Sequence, residues 1–353
     1  MYKYEDIRQV HLEVTSYCNA SCPQCLRNFS GGPVNPELPL SHLSLHDCKK
    51  IFSEPFLKQL RYIFLCGNYG DAMMAPELLD ILEYFKACNP TISLCLYSNG
   101  SGRNTAWWQR LARSGTVCKF AIDGLEDTNH IYRRGTNWNK IIASINDFIG
   151  AGGEAHWEYI AFKHNQHQVE EACQLSKELG FKQFNVKKTA RFYNPGQPMQ
   201  ELKREVSARN SQEQYTIQPP DDSRYIHEVY TGKLDEIRNE QDFDDYLEKS
   251  EISCTAITSK QIYVSAEGLI FPCCYLAGIY NPKKPLRTRQ VLELIEQLPE
   301  GKTSLNAKKN ELTQIVGNDF FTKAIPESWD KHSFKEGKLY TCAMICGSKK
   351  LKL

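Results

Sequence analysis

Residues 12–28 read LEVTSYCNASCPQCLRN, with Cys18, Cys22 and Cys25 in Cys-x3-Cys-x2-Cys spacing behind a short apolar segment. Val10–Thr15 is brief and β-branched, so it reads as a strand, and the three thiols fall in the loop that leaves its carboxyl end. Three thiolates can ligate three irons of a cubane cluster and leave the fourth iron without a protein ligand, open to chelation. A structural zinc ion asks instead for four ligands, usually in paired spacing. No fourth Cys or His extends this loop, and His11 lies back along the strand.

Outward from that loop, the first half alternates strand-like and helix-like segments. Further strands are expected at Tyr62–Cys66, Ile92–Tyr97, Cys118–Ile122, Trp157–Phe162 and Gln183–Lys187. Between them, Pro76 marks a helix start ahead of Leu78, Leu79, Ile81, Leu82 and Phe85 on one face. Other helices are expected over Trp107–Arg113, around Ile141 to Phe148, and over Val169–Leu179 before Gly180. Six such units predict an α/β fold with a parallel sheet, open or partly closed as a barrel, whose ligands bind at the carboxyl ends of the strands.

Character changes after Phe192. Residues 194–253 are polar, with Pro219-Pro220 and a charged QDFDDYLEKSE run, and read as a solvated linker with one or two surface helices. From Cys254 a compact pattern returns, and QIYVSAEGLIFPCC predicts a β-hairpin turning at Glu267-Gly268. The final KKLKL reads as a solvated tail.

The chain has 353 residues, 41% of them hydrophobic, and a formal net charge of +1. That balance gives no reason to expect nucleic acid or an anionic membrane as a partner. No run approaches the roughly 20 apolar residues of a membrane span, and the first residues lack a signal peptide's apolar stretch, so a cytoplasmic protein is expected. Among fourteen cysteines, Cys48, Cys66, Cys88, Cys95, Cys118 and Cys173 are solitary and read as small buried hydrophobes. The remaining eight cluster toward the two ends of the chain, which in a reducing compartment points to metal rather than disulfides.

The cysteine loop, its place after the first strand and the βα units behind it resemble the radical S-adenosylmethionine (SAM) superfamily. The resemblance implies a partial (β/α)6 TIM-like barrel. It also implies a 4Fe–4S cluster on Cys18, Cys22 and Cys25 whose open iron binds the amino and carboxylate groups of SAM. Reductive cleavage to methionine and a 5′-deoxyadenosyl radical, which abstracts a substrate hydrogen, would follow. Further segments match in register: LCGNYGDAMMAPELL stands where the family has Gly-Glu-Pro, LYSNGS where it has Ser/Thr-Asn-Gly, and KFAIDGLEDTNHIYRRGTNW at the fourth strand. They imply SAM contacts from Gln24, Gly70, Asp71, Ser98, Asn99 and Asp123. Gln24 departs from the family's aromatic before the third cysteine, and Asp71 from its glutamate. For Arg133 and Arg134, an acidic substrate group and a solvated helix start are equal readings. For Lys163 and Asn165 a place facing the site and a helix-capping surface loop are both open, the loop being favoured, and His164 and His167 read the same way, without metal-ligand partners.

Cys254-x13-Gly268-x4-Cys273 resembles the opening of the family's SPASM and twitch extensions, with Cys342 and Cys346 supplying two more ligands. Four cysteines make one auxiliary 4Fe–4S cluster, as in a twitch-type domain, whereas a full SPASM domain needs about seven. Either Cys273 or Cys274 can be the ligand, and a four-thiolate zinc ribbon fits the same spacing. The expected organisation is a core barrel over 1–193, the polar segment 194–253, and a small C-terminal Fe–S-binding hairpin-and-helix extension over 254–353. Resemblance further implies two 4Fe–4S clusters, SAM, an electron donor such as flavodoxin or ferredoxin, and an oxidoreductase or modifying enzyme acting on a peptide or protein. No peptide-recognition module precedes the cysteine loop, which raises an alternative: a small-molecule dehydrogenase or epimerase working on a sugar, nucleoside or amino acid. Outside the family, a non-catalytic zinc-binding scaffold is the remaining reading.

Overall fold

The computed structural model describes residues 1–208, 214–230, 237–281 and 285–348. Strands β1 (Gln9–Leu12), β2 (Tyr62–Leu65), β3 (Ser93–Ser98), β4 (Val117–Ala121), β5 (Ala155–Ile160) and β6 (Gln183–Lys187) lie within three residues of their expected ends. Strands β7 (Arg204–Val206) and β8 (Tyr215–Ile217) pair with each other, while β9 (Gln261–Val264) and β10 (Ile270–Phe271) return to the main sheet. That sheet has the order β10-β9-β1-β2-β3-β4-β5-β6, parallel throughout except between β9 and β10. From β1 to β6 the order rises by one strand at a time. Such winding belongs to a barrel rather than to a doubly wound sheet, whose order reverses midway. The sheet ends at β6 and β10 and does not close.

Its two faces differ because strand side chains alternate. Val10, Leu12, Ile63, Leu65, Leu94, Leu96, Phe120 and Trp157 are buried in one large apolar cluster. The helices supply the other half of that cluster. Leu78–Cys88, for example, contributes Leu78, Leu79, Ile81, Leu82 and Phe85, each worth roughly 1.5–3 kcal/mol when fully buried. Opposite them, the inner face is polar: Glu158 pairs with Lys187 (2.7 Å) and Lys119 (3.8 Å), and both ammonium groups stand 5.2 Å from the Tyr97 ring.

The hairpin turns as expected, with Val264 opposite Ile270 and Gly268 at a φ of +86°, a left-handed value that glycine adopts without strain. Position 194–253 brings the main difference. Val206 and Ile217 are buried in a second cluster with Tyr132, Phe162, Phe192 and Leu202, so the β7–β8 hairpin covers the region beyond β5. The helix Glu240–Glu248 likewise buries Phe243 and Leu247 against Phe334, Ala343 and Met344. A few apolar residues spaced two and four apart within a polar stretch suffice to dock it. Lys349–Leu353, the expected tail, lies outside the described residues. Among the described residues no helix is long and apolar enough to cross a membrane.

Candidate active site

The loop beyond β1 is pinned at several points. The Asn19 amide donates to the Ser101 carbonyl (2.7 Å), Arg27 Nε to the Ser16 carbonyl (3.1 Å), and the Asn28 amide to the Cys22 carbonyl (3.3 Å). N–H groups face all three sulfurs. Ala20 N is 3.3 Å from Cys18 Sγ, Arg27 N is 3.5 Å from Cys25 Sγ, and Arg133 Nη1 is 3.7 Å from Cys22 Sγ. Donors in these places stabilise thiolates. Burial pushes the Cys18 thiol well up and that of Cys22 to about 11. These sulfurs therefore ionise at neutral pH when a cation takes the proton's place, which is the chemistry of a metal ligand set.

Neighbouring strand ends lock onto this loop. Asp71 accepts from the backbone N–H (2.7 Å) and side-chain amide (2.8 Å) of Asn99, and that amide also donates to Asn19 Oδ1 (2.9 Å). Asp71 N–H donates in turn to the Tyr17 carbonyl (2.9 Å). The ends of β1, β2 and β3 are thus tied beside Cys18. Ser98 and Asn99 are buried, and Ser98 Oγ accepts from Gly100 N–H (3.1 Å). Gly70 runs so close to β1 that a Cβ there would strike the Thr15 carbonyl. Further along the sheet, Asp123 is fully buried, paired with Arg133 Nε at 2.6 Å and accepting from Ile160 N–H at 2.7 Å. Arg133 thereby bridges Asp123 and Cys22. Gln24 stands out because both polar atoms of its amide are buried without a hydrogen-bond partner among the described residues. An amide so placed loses about 1–3 kcal/mol unless a bound group completes it. The residues present therefore fit a cluster and a polar cofactor beside it.

At the other end of the chain, Cys254, Cys273, Cys274, Cys342 and Cys346 line a cavity of about 390 Å³ with His11, Phe64 and Trp329. Cys254, Cys273 and Cys342 each feel Cys346 electrostatically, and Cys342 also feels Cys273. Cys274 feels Cys66 and Glu13 as well as its neighbour. Cys273 thus shares its electrostatic surroundings with Cys342 and Cys346. The room and the donor set fit a second cluster. Among the described residues no three His, Cys, Asp or Glu side chains converge as ligands of a single ion would. Ligands of a cubane sit on separate irons, further apart than the roughly 3.8 Å between two thiolates on one zinc.

No family profile and no curated protein sequence matches the chain. Solved structures do. SuiB of Streptococcus suis bound to S-adenosylmethionine superposes with a TM-score of 0.58 at 12% identity, over 96% of this chain and 77% of that one. SuiB bound to its precursor peptide SuiA gives 0.58 at 13%, over 95% and 76%. The protein anSMEcpe with bound AdoMet gives 0.53 at 14%, over 94% and 85%. The chain has the radical SAM fold. In that fold the expected residues fall into two groups. Cys18, Cys22, Cys25, Asp71, Ser98 and Asn99 are brought together by direct hydrogen bonds or shared loops, with Asp123 linked to them through Arg133. Asn165 is instead a buttress: fully buried, it donates to the Asp123 and Ile160 carbonyls (2.9 and 3.0 Å). Lys163 is spent on Asp221 at 3.3 Å, and His164 stacks on Phe162 with burial lowering it to about 4. Arg134 is not a solvated residue but 1% exposed, capping the Gly31 and Ser207 carbonyls. Of the solitary cysteines, Cys48, Cys95 and Cys118 are buried while Cys66, Cys88 and Cys173 are partly exposed.

Sequence reading missed Glu13. Its carboxylate accepts from Tyr69 N–H (2.7 Å), Gly70 N–H (2.9 Å) and the Tyr263 hydroxyl, clamping the glycine segment against β1 and β9. A lone acid inside the apolar run VHLEV was the available signal. Arg191, beyond β6, carried none.

Proposed function

We propose that this chain is a radical SAM enzyme with two 4Fe–4S clusters, one on Cys18, Cys22 and Cys25 and an auxiliary one on Cys254, Cys273, Cys342 and Cys346. The observation that carries the reading is the lock of Asp71 on Asn99 and of Asn99 on Asn19. It brings three strand ends to one point beside a thiol triad that leaves a cubane iron open. When bound, the first cluster supplies the electron that splits SAM into methionine and a 5′-deoxyadenosyl radical, which takes a hydrogen atom from the substrate.

The chain's own residues prepare that event. Gln24, Gly70, Asp71, Ser98, Asn99 and Asp123 would hold SAM: Gln24 would offer its unpartnered amide, and the Gly70 backbone its close approach without a side chain. Asp71, Ser98 and Asn99 hold the loops, and Asp123 fixes Arg133. Arg133 offsets the charge of Cys22. Tyr132, Phe162, Val206 and Ile217 form an apolar wall beyond β5 that would keep solvent from the site. We assign 1–193 as the catalytic core, 194–253 as its cover and 254–353 as the auxiliary region. A peptide or protein substrate is favoured by the likeness to SuiB, which binds a precursor peptide; flavodoxin or ferredoxin would deliver the electron.

Anaerobic reconstitution tests this. The wild type should hold about eight irons and convert SAM to 5′-deoxyadenosine under reductant. Changing Cys18, Cys22 and Cys25 together to Ala should remove about four irons and all deoxyadenosine formation. Bound zinc in place of iron, or SAM cleavage by the triple variant, refutes the assignment.

A further inference from the structure

Most guanidinium groups around the site are already used. Arg27 donates to the Ser16 carbonyl, Arg103 to the Met73 and Ala75 carbonyls, Arg133 to Asp123, and Arg134 to the Gly31 and Ser207 carbonyls. Arg191 differs. It is solvent-exposed, forms no ion pair among the described residues, and its side chain has one partner there, the Tyr132 hydroxyl at 3.4 Å. Its place is not the outer surface. Cys25 and Tyr132 lie within its electrostatic reach on one side, and on the other is Tyr275, which directly follows Cys273 and Cys274 and is 51% exposed. The guanidinium therefore lies near residues of both cysteine sets.

On the inner face of the sheet, Lys119 and Lys187 share the single carboxylate of Glu158. Arg133 is balanced by Asp123, whereas Arg191 has no carboxylate partner among the described residues. A guanidinium presents planar, paired N–H donors that match a carboxylate bidentately. The Tyr132 hydroxyl accepts from the guanidinium at 3.4 Å and keeps its own O–H to donate, a second donor beside the fork. One cation and one neutral donor suit a singly charged group better than a doubly charged phosphate.

We propose that Arg191, with the Tyr132 hydroxyl, binds a carboxylate of the substrate and so anchors it between the two cysteine sets. The carboxylate belongs either to a peptide side chain or terminus or to a small acid. This rests on the radical SAM reading, and the test separates the two. Holoprotein loaded with SAM is titrated calorimetrically with four probes, each up to 20 mM on the order of a weak-site ceiling. They are succinate, N-acetylglutamate, the amidated peptide Gly-Glu-Gly, and the free-acid peptide Gly-Gly-Gly. The corresponding neutral amides serve as controls.

At least one carboxylate probe should bind, with its amide binding at least roughly tenfold more weakly. In Arg191→Met the carboxylate's Kd should rise roughly 10- to 100-fold, and Arg191→Lys should restore part of the loss. Affinity for SAM and iron content should stay at the wild-type value in both variants. Preference for the two peptides over succinate and N-acetylglutamate would assign the carboxylate to a peptide; the reverse would assign it to a small acid. Three results overturn the proposal: no carboxylate probe binds, the probes bind Arg191→Met as well as wild type, or SAM affinity falls as far as probe affinity does. The last would hand Arg191 to the carboxylate of SAM. Absence of iron or of SAM cleavage in the wild type would instead count against the enzyme reading.

Discussion

Glu13 offers the sharpest test of how the site is held. It is 1% exposed, accepts from Tyr69 N–H, Gly70 N–H and the Tyr263 hydroxyl, and burial lifts its carboxyl from 4.5 to about 7 despite those donors. Between those two pH values the unfolded chain releases a proton that the native chain keeps, so raising the pH favours unfolding. Stability contributed by the protonated form is complete below pH 4.5 and lost as pH climbs through 7. The full loss is about 3 kcal/mol, of which about 2 kcal/mol falls between pH 5.5 and 8.5. Glu13→Gln keeps an acceptor for both N–H groups and cannot ionise. Guanidinium denaturation of both proteins at pH 5.5, 7 and 8.5 isolates the effect, because other titrating groups are common to the two. The stability of Glu13→Gln relative to wild type should improve by about 2 kcal/mol over that range. A difference that stays constant with pH would show that Glu13 is already ionised in the native protein, and the proposed burial effect would be wrong. Glu13→Ala is the harsher change. It strands three donors and should destabilise at every pH by about 1–3 kcal/mol per unpaired group, less any water that enters.

Other consequences are simpler to read. Cys273→Ser should lose about four irons, whereas Cys274→Ser should keep the wild-type content, as counted by iron and sulfide analysis. Equal losses would put Cys274 in the ligand set beside Cys273. Gly70→Ala puts a Cβ against the Thr15 carbonyl, so the loop must move. We expect SAM affinity to fall at least roughly tenfold, or the protein to melt several degrees lower. A variant with unchanged SAM affinity and melting point would contradict the close approach. Val206→Asp places a charge in the cluster of Tyr132, Phe162 and Ile217, which should undock the hairpin at a cost of several kcal/mol. Limited proteolysis should then cut within residues 204–217 much faster than in wild type, while iron content is retained.

How much of this was legible beforehand follows from the range of the forces involved. Strands β1 to β6 and the helices between them announce themselves through local period and β-branching, and the Glu267-Gly268 turn through its glycine. Pairing of β9 with β1 joins residues about 250 positions apart, and no local pattern encodes it. The β7–β8 hairpin escaped because its strands are three residues long and bury one apolar side chain each. In the site, the cysteines and the Ser98-Asn99 pair were visible as spacing. The partners that orient them were not, since Asn19, Arg133 and Glu13 gain their roles only when separate strand ends meet. Arg191 is the extreme case. Its significance lies in having no carboxylate partner among the described residues, which only a folded chain can show.

The parallel seat of β9 on β1 carries the last step. Were the C-terminal region tethered only through residues 194–253, the distance between the two cysteine sets would vary with that tether. Here the register Gln9↔Gln261 to Leu12↔Val264 makes β9 a strand of the core sheet. The glycine segment then acts as a bracket between them. On one side Glu13 holds Tyr69 and Gly70 beside Thr15, three residues from Cys18. On the other, the Asn68 amide donates to the Cys274 carbonyl at 2.7 Å, and Asn35 reaches the Tyr280 carbonyl at 2.6 Å. Both cysteine sets therefore hang from the same few residues of β1, the 67–70 segment and β9. Their separation is a property of sheet register, as fixed as the pairing of β1 with β2. A substrate seated on Arg191 would meet both walls at a constant span.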